Sequence, residues 1–326
     1  MKYCFIINRL AGKGTFTEQV LKNIEDVCAG RGIDYEVFLS DDIDATKDYV
    51  ASVAKELGED DRASFIACGG DGTLCKTVVA VMALPEEQRE RAGVGVIPMG
   101  TGNDFVSNFK NKELFFDIKA QLGATPCKID LLKCNDIYSI NMVNIGFDCQ
   151  VVCKKEEIGM KAWVPRKLAY IFSLVITLVR KPGVKMEIST DGKEKIKKEL
   201  LLTTFANGAF CGGGFNSNPK AELDDGMIDC IAVKDISRAK FISLVGSYKK
   251  GLHLGEKFKA VIDHFKCATA DMYFDDETAI SVDGEIVRVR ELHMSVDKKA
   301  LTFMVPKGVS AIKENAEEAA SEPVLQ

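Results

Sequence analysis

The sequence predicts an α/β domain built on a parallel sheet, followed by a β-rich sandwich domain. Three observations predict it. Short apolar runs alternate with helix-patterned stretches over the first 125 residues, as in βαβ units with helices on both faces of a parallel sheet. After about Thr125 the texture changes to short β-rich runs with Asp-Gly turn signals, as in an antiparallel sandwich. Three glycine-rich turns each follow a predicted strand, so all three fall at the carboxyl edge of the sheet, where open α/β sheets bind ligands.

Each element has a local reason. YCFIIN (Tyr3–Asn8) is an apolar run and reads as a buried strand; a turn, AGKG, and a helix from about Thr17 to Ala29 follow. DYEVFLS (Asp34–Ser40) is the second strand and Ala45–Leu57 the second helix. SFIACGG is the third strand, Thr73–Ala83 the third helix, and GVGVIPMG (Gly93–Gly100) the fourth strand. Beyond these, CKIDLLKCN, IYSINMVNIGF, KMEISTDGK, KKELLLTTFANG, MIDCIAVKD, AISVDGEIV and ALTFMVP read as strands, with turns at Asp191-Gly192, Asp225-Gly226 and Asp283-Gly284. Helices are expected over Pro165–Arg180 and Ser237–Tyr248. The expected division is an α/β domain over 1–125, a β-sandwich domain over 126–306, and a polar tail over 307–326, disordered or packed back on the first domain.

Composition narrows the function classes. The chain has 326 residues, 46% hydrophobic and 28% charged, enough to bury a sizeable core. A net charge of −5 argues against a dedicated nucleic-acid binder. Eleven cysteines form no CxxC pair, and His253, His264 and His293 do not sit near paired cysteines, so the thiols read as core residues in a reducing cytoplasm. The N-terminus lacks the pattern of a signal peptide, and the longest uncharged stretch, Leu168–Val179, is shorter than the roughly 20 residues that span a bilayer. The expectation is a cytoplasmic protein.

The glycine turns are Asn8–Gly14, Gly69-Gly70-Asp71-Gly72-Thr73, and Gly100-Thr101-Gly102-Asn103-Asp104-Phe105. Backbone N–H groups at such turns, with helix N-termini behind them, favour anions such as phosphates, and Lys13 adds a positive charge. Neither G-x-x-x-x-G-K-[ST] nor G-x-G-x-x-G occurs. The plain alternative is that each group is only a tight turn.

GGDGT followed by PMGTGNDF resembles the catalytic domain of the diacylglycerol kinase family, which includes sphingosine, ceramide and bacterial lipid kinases. NRLAGKG, NIGFDCQV, RKLAY, FANGAFCGGGFNSNPKAELDDGMIDCIAV and VDGE continue the resemblance in the family's order, over roughly Lys2 to Pro306. GGDGT alone is shared with NAD kinases; the later motifs are similar to the stand-alone bacterial lipid kinases. The sequence departs from the pattern at Arg9, where the family usually has proline, at Ala11, where serine is common, and at Ser40, where threonine is frequent.

The resemblance implies an NAD-kinase/diacylglycerol-kinase-like fold and transfer of the ATP γ-phosphoryl group to a lipid hydroxyl, with Mg²⁺ and a proton-accepting residue. By resemblance, Gly69, Gly70, Gly72, Thr73, Gly100, Thr101, Gly102 and Asn103 hold the nucleotide, and Asn8, Gly12, Lys13 and Ser40 complete its phosphate side. Asp71 and Asp104 face the magnesium, with Asp130 a further member of that network. Asp283 is the implied base and Glu285 its support, although Asp-Gly is also a common hairpin turn. Glu222, Asp224 and Asp225 resemble a structural Mg²⁺ region, with an acidic turn as the alternative. Leu168–Val179 reads as an interfacial element or a core helix, and Lys193–Lys198 as a head-group contact or a solvated face.

Diacylglycerol is the first substrate candidate, reached at the inner face of the membrane by a peripheral, homodimeric protein. An NAD kinase acting on a soluble substrate and a nucleotide-binding sensor without turnover stay open. An apolar cleft favours the lipid; a polar pocket favours the soluble substrate.

Overall fold

The first strand, Lys2–Asn8 (β1), sends Cys4 and Ile6 to one face and Phe5 and Ile7 to the other, and all four are buried. A strand of this kind requires a sheet covered on both sides. The computed structural model describes residues 1–8, 15–40, 42–147, 149 and 183–312. In it, Thr15–Cys28 (α1), Tyr35–Ser40 (β2), Ile43–Glu56 (α2), Ala63–Gly69 (β3), Asp71–Met82 (α3), Glu86–Arg89 (α4) and Ala92–Pro98 (β4) follow in alternation. The four strands run parallel in the order β2-β1-β3-β4.

Local chemistry sets these elements. Asp42 caps α2 by accepting the Ala45 N–H at 2.8 Å. The α2 stripe Val50, Val53 and Ala54 packs with Leu74 and Val78 of α3 over one face of the sheet. Val20, Ile24 and Cys28 of α1 cover the other face, together with Ile118 of Ile118–Leu122 (α5). A two-residue strand, Phe109–Lys110 (β5), lies between β4 and α5.

The second half is strand-rich: Thr125–Cys134 (β6), Ile137–Ser139 (β7), Met142–Gly146 (β8), Val184–Thr190 (β9), Ile196–Ala206 (β10), Phe210–Cys211 (β11), Phe215–Asn216 (β12), Ile228–Lys234 (β13), Ile262–Cys267 (β14), Thr269–Val282 (β15), Glu285–Val305 (β16) and Ser310–Ala311 (β17). One further helix, Arg238–Lys249 (α6), starts at Ser237, whose hydroxyl accepts the Lys240 N–H. The expected helix over Pro165–Arg180 and the tail beyond residue 312 lie outside the described residues.

The sandwich-like curvature comes from two register shifts. β10 shifts between Leu200 and Leu202, and β15 between Tyr273 and Thr278. On one side of each shift the strand pairs with β9, and on the other with β8. The sheet therefore bends around a core that includes Val143, Ile145, Phe205, Cys230, Met272, Ile280 and Leu292. Helix α6 packs on the outer face through Phe241, Leu244 and Tyr248, against Phe147, Leu201 and Ile231.

The two halves share one sheet. The 21-residue β16 pairs with β15 at its start, then with β6, and meets β4 in parallel at Phe303 and Val94, joining thirteen of the described strands into one sheet. Phe105, Phe109, Phe115 and Phe303 fill the junction, with Phe105 and Phe303 centroids 5.1 Å apart. Residue 125, the expected boundary, is thus the first residue of β6, a strand that flanks β16 at this junction. β17 pairs with β5 of the first half.

Candidate active site

The parallel register sets β1, β2, β3 and β4 to end together, with Asn8 beside Ser40 and Gly69 beside Pro98. Two glycine turns leave this edge. Gly70 precedes α3 as its N-cap, which puts Asp71 in the first helical turn, where the helix dipole favours a carboxylate or a phosphate. The turns pack on each other through bare backbone. A methyl on Gly100 would lie 2.5 Å from Gly70 Cα, and one on Gly70 would lie 3.1 Å from Gly100 Cα. A methyl on Gly69 would fall on the Thr73 hydroxyl. Asn103 holds its turn closed from a left-handed backbone (φ 54°): Oδ1 accepts the Gly100 N–H at 2.9 Å and Nδ2 donates to Gly100 O at 3.0 Å.

Asp71 and Asp104 converge beside Gly102. A methyl there would sit 3.2 Å from Asp71 Oδ2 and 3.3 Å from Asp104 Oδ2. Asp71 Oδ1 accepts the Phe105 N–H at 3.1 Å, tying one turn to the other. Asp104 accepts the Gly213 and Gly214 N–H groups, the shortest at 2.7 Å. Gly212, Gly213 and Gly214 all have positive φ, a run that only glycine adopts without strain, and it aims successive N–H groups at one carboxylate. Burial, with the Asp71 charge nearby, pushes the Asp104 carboxyl above the ordinary aspartate range against these bonds.

Asp283 enters from the second half. It and Gly284 form the two-residue turn between β15 and β16, both with positive φ (48° and 92°), as a type I′ hairpin requires. The residue is therefore a hairpin turn whose side chain also borders the cavity. Oδ1 accepts from Ser139 Oγ at 2.7 Å, Met142 N at 2.9 Å and Asn141 N at 3.1 Å, and Oδ2 accepts from Ile140 N at 2.9 Å. Burial nevertheless raises the Asp283 carboxyl above the usual range, opposing four bonds that favour the charged form. Glu285 Oε1 lies 3.9 Å from where a Gly72 methyl would be, so the hairpin reaches the start of α3. Cys75 of α3 is buried beside Asp283; burial first, then the charges of Asp283 and Glu285, hold its thiol well above its usual range.

These groups line one cavity of about 620 Å³, within the size range of small-molecule sites. Its lining contains Gly70, Asp71, Gly72, Gly100, Thr101, Gly102, Asp104, Asp283 and Glu285. It also contains an apolar set: Met142, Phe147, Leu202, Phe215, Phe241 and Leu244, with Val245 and Tyr248 on the same helix.

Residues 2–134 match the diacylglycerol kinase catalytic domain, and residues 141–305 match the YegS C-terminal NAD kinase beta sandwich-like domain. The chain belongs to the diacylglycerol kinase catalytic-domain family. Among its relatives is a protein of Mycobacterium tuberculosis named "Diacylglycerol kinase", 29% identical over 275 residues, 79% of this chain and 83% of that protein. Another, from Yersinia pestis and named "Probable lipid kinase YegS-like", is 26% identical over 92% of this chain and 96% of its own length. A crystal structure of a diacylglycerol kinase from Bacillus anthracis has the same fold, with a TM-score of 0.68 at 19% identity over 94% of this chain and 97% of that one.

In this family member the remaining expected site residues lie as follows. Gly12 and Lys13 are outside the described residues. Asn8 reaches Thr73 Oγ1 with its amide at 3.4 Å. Ser40 is buried, its hydroxyl 2.6 Å from Thr46 Oγ1 and donating to Asp42 O, so it serves the start of α2. Asp130 is fully buried and outside the cavity lining; Oδ2 accepts Gly226 N at 2.6 Å and Oδ1 accepts Lys299 N at 2.7 Å. It braces the turn after Asp225 and the left-handed Lys299. At the acidic turn, Lys266 Nζ lies 2.6 Å from Asp225 Oδ2 and 4.0 Å from Glu222 Oε1, with Asp224 adjacent in the chain. An ammonium group thus pairs with two of the three carboxylates of that turn, and among the described residues no three carboxylate, histidine or cysteine side chains are grouped to hold a metal. Phe215 lines the cavity, whereas Phe210 offers its carbonyl to Asn141. The sequence reading omitted Ser139, Asn141, Cys75 and the Gly213–Gly214 amides; the only advance signal was the triple glycine.

Proposed function

We propose that this chain is an ATP- and Mg²⁺-dependent lipid kinase that phosphorylates a lipid hydroxyl, with diacylglycerol as the first substrate. The observation that carries the reading is the mixed lining of one cavity: two carboxylates and glycine backbone together with Asp283 and an apolar wall. A soluble substrate such as NAD has no use for Phe147, Leu202, Phe241 and Leu244 side by side. The name of the Mycobacterium tuberculosis relative favours diacylglycerol among lipids.

The donor set suits Mg²⁺, which takes one or two carboxylates and completes its shell with water and phosphate oxygens. Asp71 and Asp104 would hold it beside Gly102. When bound, the ion neutralises charge on the transferring phosphoryl group. The chain's residues do the rest. The start of α3 and the Gly100–Gly102 turn present backbone to the phosphates, and their mutual packing keeps that backbone fixed. The apolar wall holds the acyl part and orients the hydroxyl. Asp283 takes the hydroxyl proton at Oδ2, the oxygen that accepts one backbone bond rather than three donors. Ser139 and the Ile140–Met142 amides keep its carboxylate aimed.

The test is phosphoryl transfer from γ-labelled ATP with Mg²⁺, in mixed micelles of diacylglycerol, phosphatidylglycerol, sphingosine or ceramide, with NAD as the soluble acceptor. Labelled phosphatidic acid that disappears in Asp283→Asn is the expected result. Label on NAD alone overturns the reading, as does diacylglycerol labelling that survives Asp283→Asn.

A further inference from the structure

Helix α6 has two faces with different tasks. Phe241, Leu244, Val245 and Tyr248 point inward and line the apolar wall of the cavity. At about 100° per residue, Arg238, Ile242 and Lys249 fall within a stripe of about 40° on the flank of the helix, about a quarter-turn from the lining residues and next to Val245. Ile242 is 64% exposed, and Leu252, just past the helix end, is 65% exposed, two of the six large apolar side chains so exposed among the described residues. The positions farthest from the cavity wall are Ala239, Ser243 and Gly246, small residues that leave the neighbouring isoleucine proud of its surroundings.

The charge along α6 and its C-terminal turn is basic. From Ile236 to Gly255 the chain carries Arg238, Lys240, Lys249 and Lys250, with the nearest carboxylates in the chain, Asp235 and Glu256, bounding the stretch, in a protein of net charge −5. Lys249 Nζ stands 5.7 Å from the ring centre of Phe215, itself a cavity residue, so the basic edge adjoins the cavity. The helix end is well set: Leu252 N donates to Ser247 O at 2.9 Å across Gly251, whose φ of 74° closes a Schellman-type cap. Leu252 is thereby displayed on a fixed turn. The other basic run, Lys193–Lys198, is engaged elsewhere: Lys197 pairs with Glu187, Lys198 with Asp263, and Lys195 sits over the Tyr273 ring.

We propose that the exposed flank of α6 carrying Arg238, Ile242 and Lys249, with the turn through Leu252, docks this protein on an anionic lipid bilayer. Basic side chains flanking a protruding isoleucine and leucine match the two attractions of an interfacial helix: negative headgroups, and shallow insertion of apolar side chains at the acyl boundary. The docked helix is also the wall of the cavity, and the stripe borders Val245 and Phe215 of the lining, so a lipid leaving the bilayer meets the apolar wall beside the docked flank. That route rests on the lipid-kinase reading; the docking itself does not.

The experiment is co-sedimentation of the full chain with vesicles of phosphatidylcholine alone or with about one third phosphatidylglycerol. Wild type pellets with the anionic vesicles and releases as salt rises. Lys249→Glu with Lys250→Glu, and separately Ile242→Asp with Leu252→Asp, each raise the lipid concentration for half-binding by about tenfold or more. Circular dichroism and the melting temperature match wild type, because all four side chains are exposed. Turnover of the Ile242→Asp/Leu252→Asp variant on detergent-dispersed substrate stays at the wild-type level, so a failure of the catalytic reading and a failure of docking are read separately. Vesicle binding unchanged in both variants overturns the proposal. So does a wild type that ignores both vesicles, including one that self-associates through this face and turns monomeric in Ile242→Asp.

Discussion

Replacing Gly100 with alanine tests whether the two glycine turns are a packed unit or two separate loops. The new methyl would lie 2.5 Å from Gly70 Cα and 2.9 Å from Asn103 Oδ1. Carbon atoms in contact rest at about 3.5 Å or more, so the turns must part by about 1 Å, and no side-chain rotation relieves a clash with backbone. Overpacking of this kind costs about 1–3 kcal/mol, and at about 2–4 °C per kcal/mol for a large domain the melting temperature falls by about 2–12 °C. Turnover suffers more, because Asp71 and Asp104 are fixed by these turns and a 1 Å displacement of a reacting constellation costs about 100-fold. Gly72→Ala is the control: its methyl would meet only Glu285 Oε1 at 3.9 Å, and its φ is ordinary, so the fold is unchanged or slightly firmer. Calorimetry and phosphoryl transfer on both variants decide. Gly100→Ala with wild-type melting and turnover refutes the packing argument. An equal loss of stability in Gly72→Ala shows that the effect is loss of glycine and not the contact.

Asp283→Asn keeps a residue that tolerates positive φ but sets an amide nitrogen against the Ile140 N–H; the expected loss is about 1–3 kcal/mol of stability and about 100-fold or more of turnover, read by melting and by label transfer. Because burial raises the Asp283 carboxyl, the acid limb of the turnover–pH profile should lie above the range of a free aspartate and vanish in that variant. Asp130→Asn should lower stability by about 1–3 kcal/mol, since one amide hydrogen then faces Gly226 N or Lys299 N, and leave the Mg²⁺ dependence of turnover unchanged; a raised Mg²⁺ requirement with unchanged melting would return Asp130 to the metal network. His253 is buried against Tyr248, and burial lowers it to about 4. The unfolded chain takes up the proton first, so stability falls as pH drops from about 6.5 to about 4, by about 3 kcal/mol in all. His253→Phe should remove that slope in pH-dependent melting; Asp104 and Asp283, whose raised carboxyls act in the opposite sense, are present in both proteins and cancel.

What the sequence made legible is what strand, turn and helix decide within a few residues. Gly69–Thr73 follows an apolar run and opens an apolar helix, and the structure puts it between β3 and α3. Asp283-Gly284 reads as a hairpin and is one. Partners far along the chain were not legible. The amides that hold Asp104 come from Gly213 and Gly214, and the hydroxyl on Asp283 comes from Ser139, 144 residues away. Nor does residue type separate two carboxylates in similar surroundings. Asp130 and Asp104 both accept backbone N–H bonds, but Asp104 borders the cavity and Asp130 is sealed at the junction. Glycine carries the same ambiguity. The signal at Gly70 and Gly100 reads as room for a ligand, and the first thing it makes room for is the other turn.

The shared sheet bears on how the two halves work together. The Asp283–Gly284 turn stands at the head of β16, and the far end of that same strand is seated beside β4 and β6. Rotating the second half as a body about the first would have to part β16 from β4 at Phe303 and Val94 and pull Phe303 out from among Phe105, Phe109 and Phe115. Hinge motions favour connections with few crossing contacts, and this one has an aromatic core. The position of Asp283 relative to Asp71 and Asp104 is therefore set by the fold before substrate arrives, through β16 on one side and the Cys75 and Gly72 contacts of α3 on the other. Preorganisation of this kind suits phosphoryl transfer, where catalysis is mainly positioning and electrostatics. The adjustable part of the cavity is then its outer wall, α6, attached by side-chain packing on the sheet and by no strand pairing of its own.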